Sequence, residues 1–119
     1  MTEDELKRRT KQFALRVMRL VEALPDGPVG RTIAGQLVRA GTSVGANYRA
    51  VCRARSRADF VSKLGIVEEE GDESAFWLEL VIDGRLLKQE VVQPLLQEAN
   101  ELTAIFAKSR KTARVSASK

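Results

Sequence analysis

The sequence predicts an all-α protein, an antiparallel up-down four-helix bundle that assembles as a homo-oligomer. Three observations predict it. Four long segments repeat apolar residues at three-and-four spacing, which places them on one helical face. The connections between the segments are short, and short loops between long helices force antiparallel neighbours. Only three prolines interrupt 119 residues, so little in the composition breaks a helix.

The first helix is expected from about Glu3 to Leu24. Phe13, Val17, Leu20 and Leu24 form its apolar stripe. Thr2 can cap its start, and Glu3, Asp4 and Glu5 suit the positive end of the helix dipole. Pro25-Asp26-Gly27-Pro28 ends it, because proline cannot continue the hydrogen-bond ladder. The second helix is expected from about Gly30 to Ala54, with Ile33, Leu37, Ala40, Val44, Tyr48 and Val51 as its stripe. Gly35, Gly41 and Gly45 lie inside it at a cost of about 1 kcal/mol each against alanine, which points to close approach of a neighbouring backbone.

Ser56 is a good N-cap for the third helix, expected from about Arg57 to Asp83. Its stripe is Phe60, Leu64, Val67, Gly71, Ala75, Leu78 and Ile82. Gly84 can take the left-handed conformation that closes a helix. The fourth helix is expected to start between Lys88 and Pro94, with proline in its first turn, and to end near Lys111. Val92, Leu95, Ala99, Leu102 and Phe106 form its stripe. On this reading residues 1–111 are the bundle domain and residues 112–119 a basic, frayed tail.

A second apolar side of the third helix predicts self-association. Ile66, Phe76, Trp77 and Leu80 form a group centred well over 120° from its core stripe on a helical wheel at 100° per residue. Burying a ring such as Trp77 is worth about 1.5–3 kcal/mol. A helix apolar on two sides needs two covers, and a second subunit is one. A wide helix at the bundle centre is the other reading.

Cysteine and charge bound the function. The single thiol, Cys52, cannot form an internal disulfide and sits among small apolar residues, as a buried hydrophobe would. The charged N-terminus has no signal-peptide core, and no run approaches the roughly 20 apolar residues of a membrane span. These features predict a cytoplasmic protein without a membrane partner. The net charge is +4, but it is segregated: residues 1–60 carry twelve Lys or Arg against six Asp or Glu, and residues 61–100 carry three against nine.

The basic residues are the candidate nucleic-acid contacts. Arg31, Arg39, Arg49 and Arg53 share an arc of about 80° on the second helix, opposite its stripe, and Arg57 joins them if the helix continues. Such a row can track a phosphate backbone; it can equally be a solvated face or pair with acids of another helix. Lys108, Arg110, Lys111 and Arg114 add a basic end. They suit either the negative pole of a helix or a nucleic-acid arm. Gln36, Ser43 and Asn47 are expected beside the second stripe, hydrogen-bonded across to Glu70 or Glu73 and fixing helix register.

Nothing points to catalysis. Glu69 and Glu73 stand one turn apart, but the chain has no histidine to complete a di-iron or zinc site. Ser43 has no evident base, and Gly41-Thr42-Ser43-Val44-Gly45 lies in a helical pattern with no preceding strand, unlike a phosphate loop. The expectation is no enzyme, no metal, no cofactor and no small-molecule substrate.

Longer strings carry a resemblance. Gln36-Leu37-Val38-Arg39-Ala40 followed by Thr42-Ser43-Val44-Gly45-Ala46-Asn47-Tyr48 resembles the second-helix motif of the four-helix bundle family also called the 23S ribosomal-RNA intervening-sequence proteins. So do Lys63-Leu64-Gly65-Ile66-Val67-Glu68-Glu69-Glu70, Phe76-Trp77-Leu78-Glu79-Leu80 and Leu95-Leu96-Gln97-Glu98-Ala99-Asn100-Glu101-Leu102. Where the family often has Ile-Ala-Glu-Gly after the motif asparagine, this chain has Tyr48-Arg49-Ala50-Val51. The resemblance implies an antiparallel bundle assembled as a homopentamer, and no catalytic residues. It also implies likeness in fold to the accessory protein of diversity-generating retroelements, which binds nucleic acid. The leading functional expectation is therefore a non-enzymatic homo-oligomer that binds structured RNA or DNA. The alternative is a protein-interaction scaffold with no nucleic-acid role.

Overall fold

The computed structural model describes residues 1–118. Four helices follow in order: α1 (Glu3–Glu22), α2 (Pro28–Val51), α3 (Arg57–Asp83) and α4 (Gln89–Ser118). Among the described residues there is no strand, so the fold is an all-α four-helix bundle. The long axis measures 51 Å, most of it supplied by the 30 residues of α4 at 1.5 Å each.

The caps form where small polar side chains meet free backbone N–H groups. Thr2 accepts from the Glu5 N–H at 3.1 Å, and Ser56 accepts from the Asp59 N–H at 3.0 Å. The second helix opens at Pro28 rather than Gly30, with proline in the first turn, where its missing N–H costs nothing. Gly30 is needed for another reason: a Cβ there would stand 2.0 Å from the Pro25 carbonyl oxygen. The second helix also stops at Val51, short of Ala54.

Gly84 does not take the left-handed conformation. It keeps a right-handed φ of −79°, and Arg85 adopts φ 56° instead. The reason is hydrogen-bond register. Leu86 N–H reaches the Val81 carbonyl and Arg85 N–H the Ile82 carbonyl, both at 3.0 Å. That pair of bonds closes a helix one residue later than the position of the glycine. Pro94 lies in the second turn of α4, since the helix begins at Gln89. The fourth helix continues past Lys111 to Ser118, and Ala113 is buried.

The core holds Phe13, Leu37, Leu64, Leu78, Leu102 and Phe106 at its centre, all essentially without solvent contact. Tyr48 and Phe106 meet with ring centroids 5.7 Å apart. Leu6, Val81, Leu96, Thr10 and Ser74 are buried too, beyond the stripes read from the sequence. Thr10 and Ser74 tolerate burial because their hydroxyls donate to the carbonyls of Leu6 and Glu70, each at 2.8 Å. Phe60 and Ile82 are only half-buried.

Two pairs of elements approach closely at glycine. A Cβ on Gly41 would stand 2.8 Å from Val17 Cγ2, and one on Gly45 would stand 3.4 Å from the Thr10 carbonyl oxygen. Gly35 has nothing within 4 Å, so the close approach holds for two of the three glycines. On the other side of the bundle, Gly71 faces Thr103 in the same way.

Candidate nucleic-acid interface

The arginine row on α2 is split by its neighbours. Arg39 turns toward α3, where Nη1 donates to Glu70 Oε2 at 3.3 Å and Nη2 donates to Glu73 Oε2. Its guanidinium is held above its ordinary pKa, chiefly by the hydrogen bond to Glu73. Arg49 and Arg53 turn the other way, toward α1. Arg31 and Arg57 are exposed, and among the described residues their side chains have no hydrogen-bond or ion-pair partner.

Between α1 and α2 runs an open groove of about 420 Å3. Lys7 and Lys11 line it from α1, Arg49 and Arg53 from the α2 end. Thr10, Ala14, Thr42, Gly45 and Ala46 complete the lining, and among the described residues no carboxylate takes part. The glycine contacts explain its shape: the two backbones are drawn together, so the floor is small side chains and the cations form the rims. Lys7 is contacted from outside the groove by Glu3 at 3.3 Å, a solvent-exposed pair one helical turn apart. Such pairs are worth about 0.3–0.5 kcal/mol and yield easily to a phosphate. The Thr10 and Thr42 hydroxyls are already donating to the carbonyls of Leu6 and Val38, at 2.8 and 2.7 Å.

The cationic surface continues past Arg53. A neighbouring groove is lined by Ala50, Arg53, Arg55, Asp59 and Lys63. The carboxylate in that lining is already engaged: Asp59 accepts from Lys63 Nζ at 2.7 Å and from the Arg55 N–H at 3.0 Å. Those bonds, the lysine's first, hold the Asp59 carboxyl below its usual range.

The basic end of α4 does not act as one patch. Arg110 Nε donates to Glu68 Oε2 on α3 at 2.6 Å, a bond that raises the guanidinium's pKa. Lys108 and Lys111 are exposed. Arg114 lies with Arg110 in a groove that also contains Glu68, Glu69 and Asp72.

The polar residues expected to bridge α2 and α3 do not. Gln36 is exposed and lies 3.4 Å from Arg39 Nε, Ser43 donates to the Arg39 carbonyl at 2.6 Å, and Asn47 donates to the Ser43 carbonyl at 2.9 Å. All three bonds stay within α2: the short side chains of Ser43 and Asn47 reach the carbonyl one turn back, and Gln36 Oε1 accepts from the Arg39 guanidinium. Glu70 and Glu73 do join the helices, through Arg39. Glu73 also accepts from the Trp77 indole N–H at 3.1 Å.

On α3, Ile66 is 44% exposed and Phe76 49% exposed. Trp77 and Leu80 are half-buried and pack against the core. Phe76 meets Trp77 edge to face, with centroids 5.3 Å apart. The expected second apolar side is therefore shared: two residues belong partly to the chain's own core, and two stand in water.

A family profile described as 23S rRNA-intervening sequence protein matches residues 3–108. The chain belongs to that family. It is also similar to a crystal structure from Bacteroides thetaiotaomicron, described as a protein of unknown function from the S23 ribosomal protein family. The identity is 31%, the alignment covers 93% of this chain and 99% of the other, and the TM-score is 0.81. No curated protein matches the chain. No helix among the described residues is long and apolar enough to cross a membrane.

In this family member, Lys7 and Lys11 are the groove residues that sequence reading missed. They sit one turn apart on α1, a spacing visible in the sequence. Their meaning depends on which helix packs beside them, and Gly41 and Gly45 held that signal.

Proposed function

We propose that this chain is a non-enzymatic, cytoplasmic nucleic-acid-binding protein, built as an antiparallel up-down bundle that assembles into a homo-oligomer. The observation that carries the nucleic-acid reading is the α1–α2 groove, where Lys7, Lys11, Arg49 and Arg53 converge and no carboxylate among the described residues lines the groove, Glu3 pairing with Lys7 from outside it. Cations in that density attract a polyanion and release its counterions on binding. Arg31, Arg57, Lys108 and Lys111 supply further exposed charge, while Arg39 and Arg110 are reassigned to holding the bundle together.

The order of close contacts supports the antiparallel arrangement. Going up α2 from Gly41 to Gly45, the partner on α1 goes down from Val17 to Thr10. Along α3, Gly65 lies against Arg110 and Gly71 against Thr103. Ile66 and Phe76 support the homo-oligomer, because two large apolar groups in water on one helix gain by being covered. Five subunits is the number that the family resemblance implies.

A titration of labelled RNA and DNA by mobility shift, repeated across salt, tests the reading. Binding that weakens steeply as salt rises is expected. No binding at low salt would end it. The exposed Ile66 and Phe76 also favour a second reading, a protein-interaction scaffold. A complex with a protein partner that survives nuclease, in a chain that binds no nucleic acid, would establish the scaffold instead.

A further inference from the structure

We infer that the α1–α2 groove clamps the sugar-phosphate backbone of a duplex and does not read its bases. The inference rests on the nucleic-acid reading above and specifies the form of ligand the groove accepts.

The groove's shape argues for a backbone. Base edges lie recessed in the grooves of a duplex and are read by an element that protrudes into them. Here the surface is concave, with a shallow floor of Gly45, Ala46 and Ala14 and cations on both rims. A concave seat between two helices receives a ridge, and the ridge of a duplex is its phosphate backbone.

The floor's chemistry argues the same way. Reading a base needs a free donor or acceptor pair held at fixed geometry. The Thr10 and Thr42 hydroxyl protons are committed to backbone carbonyls, and the other floor side chains are methyl groups or hydrogen. The floor therefore offers a base edge no free donor, and the donors that remain are the cations Lys7, Lys11, Arg49 and Arg53, which a phosphate ridge seated in the groove meets first. Lys7 and Lys11 are spaced by about 6 Å along α1, four residues at 1.5 Å each, so both can reach one strand's phosphates.

Single strands are disfavoured by what the lining lacks. Proteins that hold unpaired strands stack bases on aromatic side chains, which contributes strongly for each base. Neither this groove nor the adjoining one along Arg53 is lined by an aromatic residue among the described residues. Arg55 and Lys63 in that adjoining groove continue the cationic track in the direction a backbone would follow.

Competition binding on the full chain tests this, using two short duplexes of unrelated sequence, each as RNA and as DNA, and a single strand of equal length. The two sequences should bind within about 3-fold of each other, and the single strand about 10-fold more weakly. With four groove cations engaged, the slope of log affinity against log salt should be about −3.6 per protomer. Lys11→Ala and Arg49→Ala, both at exposed positions, should each make it shallower by about 0.9. The RNA and DNA arms show which sugar the clamp accepts, and binding of either duplex supports it. A sequence preference above about 10-fold, or a tighter single strand, would overturn the backbone clamp while leaving nucleic-acid binding intact. No binding to any probe at low salt would overturn both.

Discussion

Arg9 and Glu98 form a two-point ion pair that ties α1 to α4. Arg9 Nε donates to Glu98 Oε2 at 2.7 Å and Nη2 donates to Glu98 Oε1 at 2.6 Å; Nη2 also reaches Glu101 at 2.9 Å. The hydrogen bond to Glu98 holds the guanidinium well above its ordinary pKa. Parallel bonds of this kind are stronger than a single-point surface pair, because the planar fork fits the carboxylate. Both side chains are partly shielded from water. Arg9→Ala is expected to lower stability by about 1–2 kcal/mol. A double-mutant cycle with Glu98→Ala, measured by urea unfolding, should give a coupling of about 1 kcal/mol. Coupling near zero would mean that the pair is decorative.

The two kinds of glycine in α2 should respond oppositely to alanine. Gly41→Ala drives a methyl into both Val17 methyls, at 2.8 and 2.9 Å, and should destabilise by about 1–3 kcal/mol through overpacking. Gly35→Ala meets open space and should stabilise by about 0.5–1 kcal/mol, because glycine is a poor helix former. Thermal unfolding of the two variants side by side measures both. Gly41→Ala should also alter the α1–α2 groove, since that contact brings the two helices together beside it.

Stability should fall in acid through Asp59. Its folded carboxyl is held below the usual range, first by Lys63 and then by the Arg55 N–H. A depressed folded pKa means that the unfolded chain takes up the proton first. The contribution is therefore present above the ordinary carboxylate pKa and disappears as pH falls through the lower, folded value. Asp59→Asn should be less stable than the parent near neutral pH. The two should converge in acid, as read by unfolding monitored through helical circular dichroism across pH. Parallel curves would remove Asp59 from the account.

Much of the fold was legible in the sequence, and the misses share a cause. Thr2 and Ser56 were readable as caps because a cap is a local event, settled within three residues. Phe13, Leu37, Val67 and Phe106 were readable as core because one-sided burial imposes a period. Gly84 misled because glycine is the usual left-handed residue, whereas the backbone bonds of Arg85 and Leu86 placed the turn one position later. The site was less legible. The row from Arg31 to Arg57 is one arc on an isolated helix, yet its fate depends on partners far away in sequence. Arg39 found Glu70 and Glu73, while Arg49 and Arg53 found the lysines of α1. A helical wheel shows which residues share a side but not which helix comes to stand there.

The most direct measurement compares two double variants in the same binding titration. Lys11→Ala with Arg49→Ala removes two of the four groove cations, and Arg39→Ala with Arg110→Ala removes two arginines already bonded to Glu73 and Glu68. Circular dichroism of both variants serves as the control for folding. The groove variant should lose about 10-fold or more in affinity at moderate salt, and the other should stay within about 3-fold of the parent. Equal losses in the two variants, or an unchanged groove variant, would contradict the assignment of nucleic-acid binding to the α1–α2 groove.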